Sequence, residues 1–293
     1  MPTISAEVFA LLNALFYSVA DVSLRGALRF ASPATCMAGM RLSQFLFYAV
    51  LVLVIQGVPS PPAAGVAWFV VAGLVSPALF NMLYIIGMNR IGIARASPIK
   101  GASPLFGTAA AVLMLGERPL PIHLLGILFV AAGIAAISLE PPTTAERSWR
   151  RRDALFPIAA ACCSGVGAVL FKFGLAVYPA PLAGATLASL SAAVATWAAI
   201  LAVGRFQPRQ LRTKAGPLVL LAGSIGGTGM FFHLAALQVG AVSVVLPLVQ
   251  ISPLLTVGIA FFFLHGLERV TLRIVLGALL TVAGGVLVTA FHG

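Results

Sequence analysis

Charged residues are scarce in this sequence. They make up 9% of its 293 residues, whereas 60% of the residues are hydrophobic and the mean hydropathy is +1.07. A soluble domain carries about 25% charged residues, so this chain could not cover a water-exposed surface with polar groups. The composition excludes a soluble globular protein and predicts an integral membrane protein.

Cysteine and catalytic motifs are scarce as well. The three cysteines, Cys36, Cys162 and Cys163, lie in or beside apolar segments and lack metal-ligand spacing. We therefore expect neither a disulfide framework nor a metal site. The sequence holds no HExxH motif, no nucleophile elbow and no pair of carboxylates inside an apolar run. We expect a protein that is not an enzyme and that needs no cofactor.

Acidic residues are few: seven against 18 lysines and arginines, which gives a net charge of +11. The bases lie between apolar runs and mostly on one side of them, as in the cytoplasmic loops of membrane proteins. We therefore expect no nucleic-acid partner, and both termini should face the periplasm of a bacterial inner membrane. The bases on the cytoplasmic side are Arg29, Arg90, Arg147–Arg152, Arg205, Arg209, Arg212, Lys214, Arg269 and Arg273.

Apolar runs of about 20 residues recur along the chain, and each is long enough to span a membrane as a helix. Segments of about ten alternating residues, typical of a membrane barrel, do not occur. The sequence therefore predicts an all-α membrane protein with ten transmembrane helices. The predicted spans are Ala6–Leu24, Thr35–Ile55, Ala64–Met88, Ile91–Leu115, Pro121–Leu139, Ala154–Tyr178, Pro181–Val203, Ala215–Gln238, Ala241–Leu264 and Val270–Phe291.

The two halves of the chain repeat each other. Residues 1–139 and residues 154–293 each contain five spans, and a basic linker, residues 140–153, separates them. Because five is an odd number, the second half must be inverted in the bilayer. Inverted repeats build the two alternating faces of many secondary transporters around one central site.

Two pairs of prolines lie at corresponding places in the two halves. Each pair is six residues apart and ends in Ser-Pro-Leu; the pairs are Pro98 with Pro104 and Pro247 with Pro253. Proline inside a helix deletes a backbone hydrogen bond, and in lipid the freed carbonyl is tolerated where protein or a watery cavity faces it. The repeated pattern predicts hinges at a transporter's central site. The alternative is that these prolines only shape helix packing.

Lysines inside the spans are candidates for binding substrate. A charge in the middle of the bilayer costs roughly 2.5–3.5 kcal/mol and is usually functional. Lys100 lies mid-span between two prolines, and Lys172 lies nearer the end of its span. Arg41 and Arg95 lie close enough to span ends to act as interfacial anchors.

Neutral polar residues add to the candidate site. Asn81 and Tyr84 share one face of the third span, because they are three residues apart. Tyr17 lies on the first span, His233 on the eighth and Gln250 on the ninth. With the lysines they could line a mostly apolar cavity, the usual form of a small-ligand site. The alternative for His233 is a histidine packed in the core.

The sequence resembles the EamA domain of the drug/metabolite transporter superfamily, twice over. Residues 80–99 read FNMLYIIGMNRIGIARASPI, and residues 103–119 read SPLFGTAAAVLMLGERP. The second half repeats the Ser-Pro, the Glu-Arg at the next junction and the glycine-spaced helix that follows. The resemblance implies an inverted five-plus-five repeat around a central cavity, lined mainly by the first, third, fourth, sixth, eighth and ninth spans.

The small multidrug branch of this superfamily carries a buried glutamate in its first helix. Here the nearest acid is Asp21, which lies four residues before Arg25 on the same helix face, so that the two can pair. We therefore expect transport without an obligatory proton gradient.

These features favour a secondary transporter that exports amino acids or similar zwitterionic metabolites across the bacterial inner membrane by alternating access. Lys100 would attract a carboxylate, and the neutral polar groups would supply hydrogen bonds. A broad drug, organophosphate or nucleotide-sugar transporter is the alternative. A membrane-embedded enzyme or a channel is disfavoured, because the sequence lacks the motifs of either. The expected partners are a small-molecule substrate and the lipid bilayer, and we expect a monomer.

Overall fold

Helices make up almost all of the chain that the structure describes, and no strand occurs in that part. The computed structural model describes residues 6–55, 61–115, 125–126, 128–130, 132–133, 136, 150–239, 245, 248–249, 251–263 and 271–290. The predicted all-α class is confirmed. The α-helices are α1 (Ala6–Ala27), α2 (Pro33–Ile55), α3 (Ala63–Gly73), α4 (Asn81–Ile91), α5 (Ile93–Lys100), α6 (Ser103–Leu115), α7 (Leu155–Val177), α8 (Pro181–Val203), α9 (Ala215–Val239), α10 (Ser252–Phe263) and α11 (Leu272–Ala290).

Six helical stretches of the described chain are long and apolar enough to cross a membrane. They match the first, second, third, sixth, seventh and eighth predicted spans to within a few residues. Large apolar side chains remain on the outside of the bundle; Val54, for example, is 78% exposed. Such a surface suits lipid and not water. The fifth predicted span and the first half of the ninth lie largely outside the described residues.

Helices α2 and α8 occupy the same place in their repeats and begin in the same way. Each starts at a proline, Pro33 or Pro181, and each runs for 23 residues. Proline is favoured at the start of a helix, because its missing N–H would have no partner there and its fixed φ already suits the helix.

The third predicted span is helical from Ala63 to Ile91, but it is not a uniform α-helix. A π-helical segment, Leu74–Phe80, joins α3 to α4 and contains Pro77. Proline interrupts the regular helical bonds, and the Asn81 amide donates a hydrogen bond to the Pro77 carbonyl at 2.9 Å. Single π-helical turns often lie at functional sites. The sequence analysis did not predict this irregularity.

A sharp turn separates α4 from α5. Gly92 is the single residue between them, and its φ of +80° and ψ of 161° lie in a region that is essentially restricted to glycine. No other residue type would allow two helices to meet with so short a connection.

The fourth predicted span is broken next to Pro104, one of the prolines predicted to be hinges. Helix α5 ends at Lys100 and α6 begins at Ser103. At the break, the Ala102 N–H donates to the Ile99 carbonyl at 3.1 Å, and the Leu105 N–H donates to the Ala102 carbonyl at 3.0 Å. These short-range bonds replace the α-helical ones because Pro104, the second residue of α6, has no N–H to offer the Lys100 carbonyl.

Glycines place the fifth and tenth predicted spans in close contact. A Cβ added at Gly284 would lie 2.5 Å from the Gly126 carbonyl oxygen, and one added at Gly133 would lie 2.4 Å from the Thr281 hydroxyl. Small residues at such spacing let membrane helices approach closely. These glycines therefore have a packing role.

The two repeats are also joined near the linker. Arg90, in the last turn of α4, forms an ion pair with Asp153 at 2.6 Å, and its guanidinium lies 4.6 Å from the centre of the Phe156 ring. Asp153 also accepts a hydrogen bond from the Arg150 backbone N–H at 2.9 Å. The end of the linker is thereby held against the first repeat.

Candidate functional site

A cavity of about 120 Å³ lies between the two repeats. That space is enough for roughly four water molecules at about 30 Å³ each or for a small metabolite. Its walls come from α1, α2, the π-helical segment with the start of α4, the break between α5 and α6, α7, α9 and the residues just before α10. The six spans that the resemblance implied all contribute, and α2 is an addition.

The walls are mainly apolar, with polar groups from both repeats. The apolar side chains include Leu24, Met40, Phe80, Phe171, Met230 and Val249. The polar side chains are Tyr17, Asp21, Arg41, Gln44, Ser76, Asn81, Lys100, Ser103, Ser164, His233 and Ser252. An apolar enclosure with a few placed polar groups is typical of a small-molecule site.

An ion pair lies at the broken span. The Lys100 ammonium lies 2.5 Å from the Asp21 carboxylate, and both side chains are nearly buried, with 14% and 12% of their surfaces exposed. The Tyr84 hydroxyl donates to the same carboxylate oxygen at 3.0 Å. The Lys100 ammonium also lies 4.4 Å from the centre of the Tyr84 ring, within reach of a cation–π interaction. The pair connects α1 directly to the end of α5.

Sequence reasoning considered Arg25 as a partner of Asp21, whereas the structure brings Lys100 to it from 79 residues away. The signal that could have found this pair is charge balance. A lysine inside a membrane span pairs with an opposite charge or with backbone carbonyls, and Asp21 is the acid that lies deepest within a predicted span.

Arg41 is buried in the cavity wall, and the prediction that it anchors a span end is wrong. Its side chain is 4% exposed and lies two turns from the start of α2. In the described part of the chain its hydrogen-bond partner is the Gln44 side chain, one turn further along the helix. Arg95 is likewise buried, at 2% exposed, so it too is no interfacial anchor. The distance of a residue from the end of a predicted span does not show whether its side chain faces the protein interior or the membrane interface.

Four of the residues predicted to bind substrate lie together in the cavity wall: Tyr17, Asn81, Lys100 and His233. His233 has a buried Nδ1 atom without a hydrogen-bond partner among the described residues. Such an atom can bond to a ligand that enters the cavity.

The other predicted site residues lie elsewhere. Tyr84 is fully buried behind the ion pair and supports it. Lys172 donates a hydrogen bond at 2.8 Å to the Leu237 carbonyl, near the end of α9, where a cation is favoured by the helix dipole. It is not among the described residues that line the cavity. Gln250 and Pro247 lie outside the described residues.

The Ser-Pro pairs open helices in both repeats. Pro104 and Pro253 are the second residues of α6 and α10, positions where proline costs a helix little. The backbone bonds before α10 reproduce those before α6: Ile251 N–H to the Leu248 carbonyl at 3.2 Å, and Leu254 N–H to the Ile251 carbonyl at 3.1 Å. The two repeats therefore share one kind of turn at corresponding positions. Pro98 differs, since it lies inside α5.

Helix α1 contacts both of these turns. Asp21 pairs with Lys100 at the first of them. At the second, the Ser18 hydroxyl lies 2.9 Å from the Ser252 carbonyl oxygen and 3.2 Å from the Ser252 hydroxyl. Small residues bring α1 close to α9 as well, where the Asn13 amide donates to the Gly229 carbonyl at 2.7 Å.

Comparison with known proteins agrees with this architecture. Residues 4–139 and 152–290 match the EamA-like transporter family, so the chain belongs to that family and contains its unit twice. A solved structure whose title reads only "Crystal structure of protein" superposes with a TM-score of 0.65 at 15% sequence identity, covering 98% of this chain and 97% of that one. At that identity the likeness shows the fold alone. No curated protein matches the sequence significantly.

The family and the helices together define a multi-pass membrane protein of a transporter family. Membership in a transporter family argues against an enzyme. In the described part of the chain, no group of three or more His, Cys, Asp and Glu side chains could hold a metal ion.

Proposed function

We propose that this protein is a secondary transporter that exports amino acids or related zwitterionic metabolites across the bacterial inner membrane by alternating access. The observation that carries the proposal is the cavity, which presents an acid, Asp21, and two bases, Lys100 and Arg41, within apolar walls. A zwitterion carries one charge of each sign and matches this arrangement. The export direction rests on the resemblance to the drug/metabolite transporter superfamily, whose bacterial members include exporters of amino acids and other metabolites.

Transport by counterflow tests this function. Purified protein in proteoliposomes loaded with unlabelled amino acid should take up labelled amino acid at equal pH on both sides. No proton gradient is required in this proposal, because the Asp21 carboxylate is engaged by Lys100 and Tyr84. A panel of the common amino acids should show uptake of those small enough for the cavity. If no member of the panel exchanged, amino-acid export would be wrong, and an absolute need for a pH gradient would overturn the coupling.

Organic anions are a second class of candidate substrate. The described wall carries two bases and one acid, so an anionic cargo such as an organophosphate would also be attracted. The same counterflow assay separates the two classes if phosphorylated compounds are included. Uptake of organophosphates without uptake of amino acids would favour this second function.

We also propose that both termini face the periplasm and that the Arg147–Arg152 linker faces the cytoplasm. The reason is the one-sided distribution of bases in the loops. Reporter fusions at Gly293 and at Trp149 measure this directly. We expect a periplasmic signal at Gly293 and a cytoplasmic signal at Trp149, and the opposite pair of signals would reverse the orientation.

A further inference from the structure

We propose that Arg41 is the anion-binding residue of the cavity and that it binds the carboxylate of the substrate. This inference deepens the proposed function and rests on it, because it assigns one end of a zwitterionic cargo to one residue. Three features of the structure support this assignment: the burial of Arg41, its hydrogen bond to Gln44, and the pairing of Lys100 with Asp21.

The guanidinium of Arg41 has donors to spare. Its side chain is 4% exposed, and in the described chain it bonds to the Gln44 side chain and to no carboxylate. A guanidinium has five N–H donors in a rigid fork that fits a carboxylate with two parallel bonds. The Gln44 amide nitrogen in turn donates a hydrogen bond to the Met230 sulfur at 3.9 Å, and this bond holds the Gln44 side chain in place. Gln44 thus orients the Arg41 guanidinium, and most of the five N–H donors of that guanidinium remain available to bind a ligand.

Lys100, the other base of the cavity, is already neutralised. Its ammonium is paired with Asp21 and packs against the Tyr84 ring. An incoming carboxylate would have to compete with Asp21 at that position, whereas at Arg41 no acid of the described wall competes. Arg41 is therefore the better partner for a carboxylate, and Lys100 is the weaker candidate.

The ammonium of a zwitterionic substrate would bind to the same wall of the cavity as its carboxylate. Tyr17 lies four residues before Asp21 on α1, so the two share one face of the helix. Both side chains line the cavity together with Arg41. Lys100 and Tyr84 both bind Oδ2 of Asp21, so a substrate ammonium near Tyr17 would approach the other carboxylate oxygen, Oδ1. The carboxylate of the same molecule would reach the Arg41 guanidinium.

All charged side chains of the described wall come from the first repeat. The second repeat contributes apolar and neutral groups, such as Phe171, Val249 and His233. The charged end of the cargo would therefore lie against α1 and α2, and its side chain would lie against α7 and α9. This one-sided arrangement defines the substrate class as small amphipathic molecules with a carboxylate.

A buried arginine without an acidic partner is costly, since burial of a charge must be offset by pairing. If Arg41 were there for stability, its replacement would weaken the protein. If it is there for the substrate, replacement with an apolar side chain of similar length should keep or raise stability while binding is lost. The two roles therefore give opposite results in a melting experiment.

The experiment uses three probes that share a phenyl ring and differ in charge: L-phenylalanine, hydrocinnamate, which lacks the ammonium, and phenethylamine, which lacks the carboxylate. Binding to purified full-length protein is measured by thermal shift and by competition. The variants are Arg41→Met and Arg41→Lys. The matched control is Arg29→Met, because Arg29 is exposed in the turn that follows α1.

We expect Arg41→Met to melt at or above the wild-type temperature. Its affinity for hydrocinnamate and L-phenylalanine should fall about ten- to a hundredfold, the effect of losing a charged hydrogen bond, while phenethylamine binds as before. Arg41→Lys should lie between wild type and Arg41→Met, because it keeps the charge and loses the fork. Arg29→Met should behave as wild type.

Several results would overturn the assignment. They are unchanged carboxylate binding in Arg41→Met, a lower melting temperature with equal loss of all three probes, and a wild type that binds no carboxylate probe. Counterflow shows whether the Arg41 assignment or the proposed export of amino acids is wrong. Amino-acid exchange that persists in Arg41→Met leaves export standing and removes the anion site. Arg41-dependent binding of hydrocinnamate without exchange of any amino acid leaves the anion site standing and removes amino-acid export.

Discussion

Replacement of Asp21 by alanine should abolish transport and lower the free energy of unfolding by about 3–5 kcal/mol, the cost of leaving one member of a buried ion pair alone. Lys100 would lose its carboxylate while its side chain remains only 14% exposed. Lys100→Met should destabilise the protein as well, because it leaves Asp21 unneutralised. Thermal unfolding in detergent and counterflow in proteoliposomes measure the two effects.

The double variant Asp21→Ala/Lys100→Met separates stability from function. Because both charges are removed, its stability should return towards the wild-type value. Its transport should stay lost, since the described part of the cavity wall then has no acid to receive an ammonium. A double variant that transports normally would show that the pair is only structural. The matched control is the ion pair Arg90–Asp153, which does not line the cavity and whose arginine is 49% exposed. Removing both of its charges should spare transport.

The second large effect is expected at the turns that precede α6 and α10. In Pro104→Ala/Pro253→Ala each new N–H can bond to the carbonyl four residues earlier, which for Pro104 is that of Lys100. The broken spans would then tend to become continuous helices. Proline inside a helix costs about 3 kcal/mol relative to alanine, so the change could favour one facing state by a comparable amount. Since about 1.4 kcal/mol corresponds to tenfold, we expect turnover to fall by about tenfold or more.

Stability and turnover together decide between the two roles of these prolines. If they are hinges, stability should hold or rise, substrate should still bind, and the counterflow rate should fall. If they only shape packing, stability should fall and turnover per folded molecule should be intact. The matched control is Pro33→Ala/Pro181→Ala, which changes two prolines that open α2 and α8. Turnover equal to wild type in the double variant of the broken spans would remove the hinge proposal.

The helices were predictable because the length of an apolar run limits what a segment can do in a bilayer. Lys100 was predictable for a related reason, since a lysine far from both span ends must find a partner inside the protein. The repeated Ser-Pro pattern indicated the two turns that the structure places at the cavity wall.

The facing direction of side chains was not predictable. Arg41 is close enough in sequence to the start of its span to suggest an interfacial role, but packing turns it towards α1 and α9. That rotation depends on contacts such as the Ser43 hydroxyl donating to the Leu220 carbonyl at 3.0 Å, which join residues far apart in sequence. Lys172 illustrates the converse, because its ammonium bonds to the Leu237 carbonyl and not to the cavity. Neither outcome leaves a periodic signal in the sequence.

The contacts of α1 with both broken spans also constrain the order in which the protein can assemble. Helix α1 is synthesised before both broken spans, and Asp21 lies 79 residues ahead of its partner Lys100 in the chain. The hydrogen bond from the Ser18 hydroxyl to Ser252 forms later still, because Ser252 lies 234 residues further along the chain. The first repeat can close its own ion pair during synthesis, whereas the contact at the second turn forms only when the ninth span arrives. Helix α1 therefore reaches its final set of contacts only after most of the chain that follows it has been made.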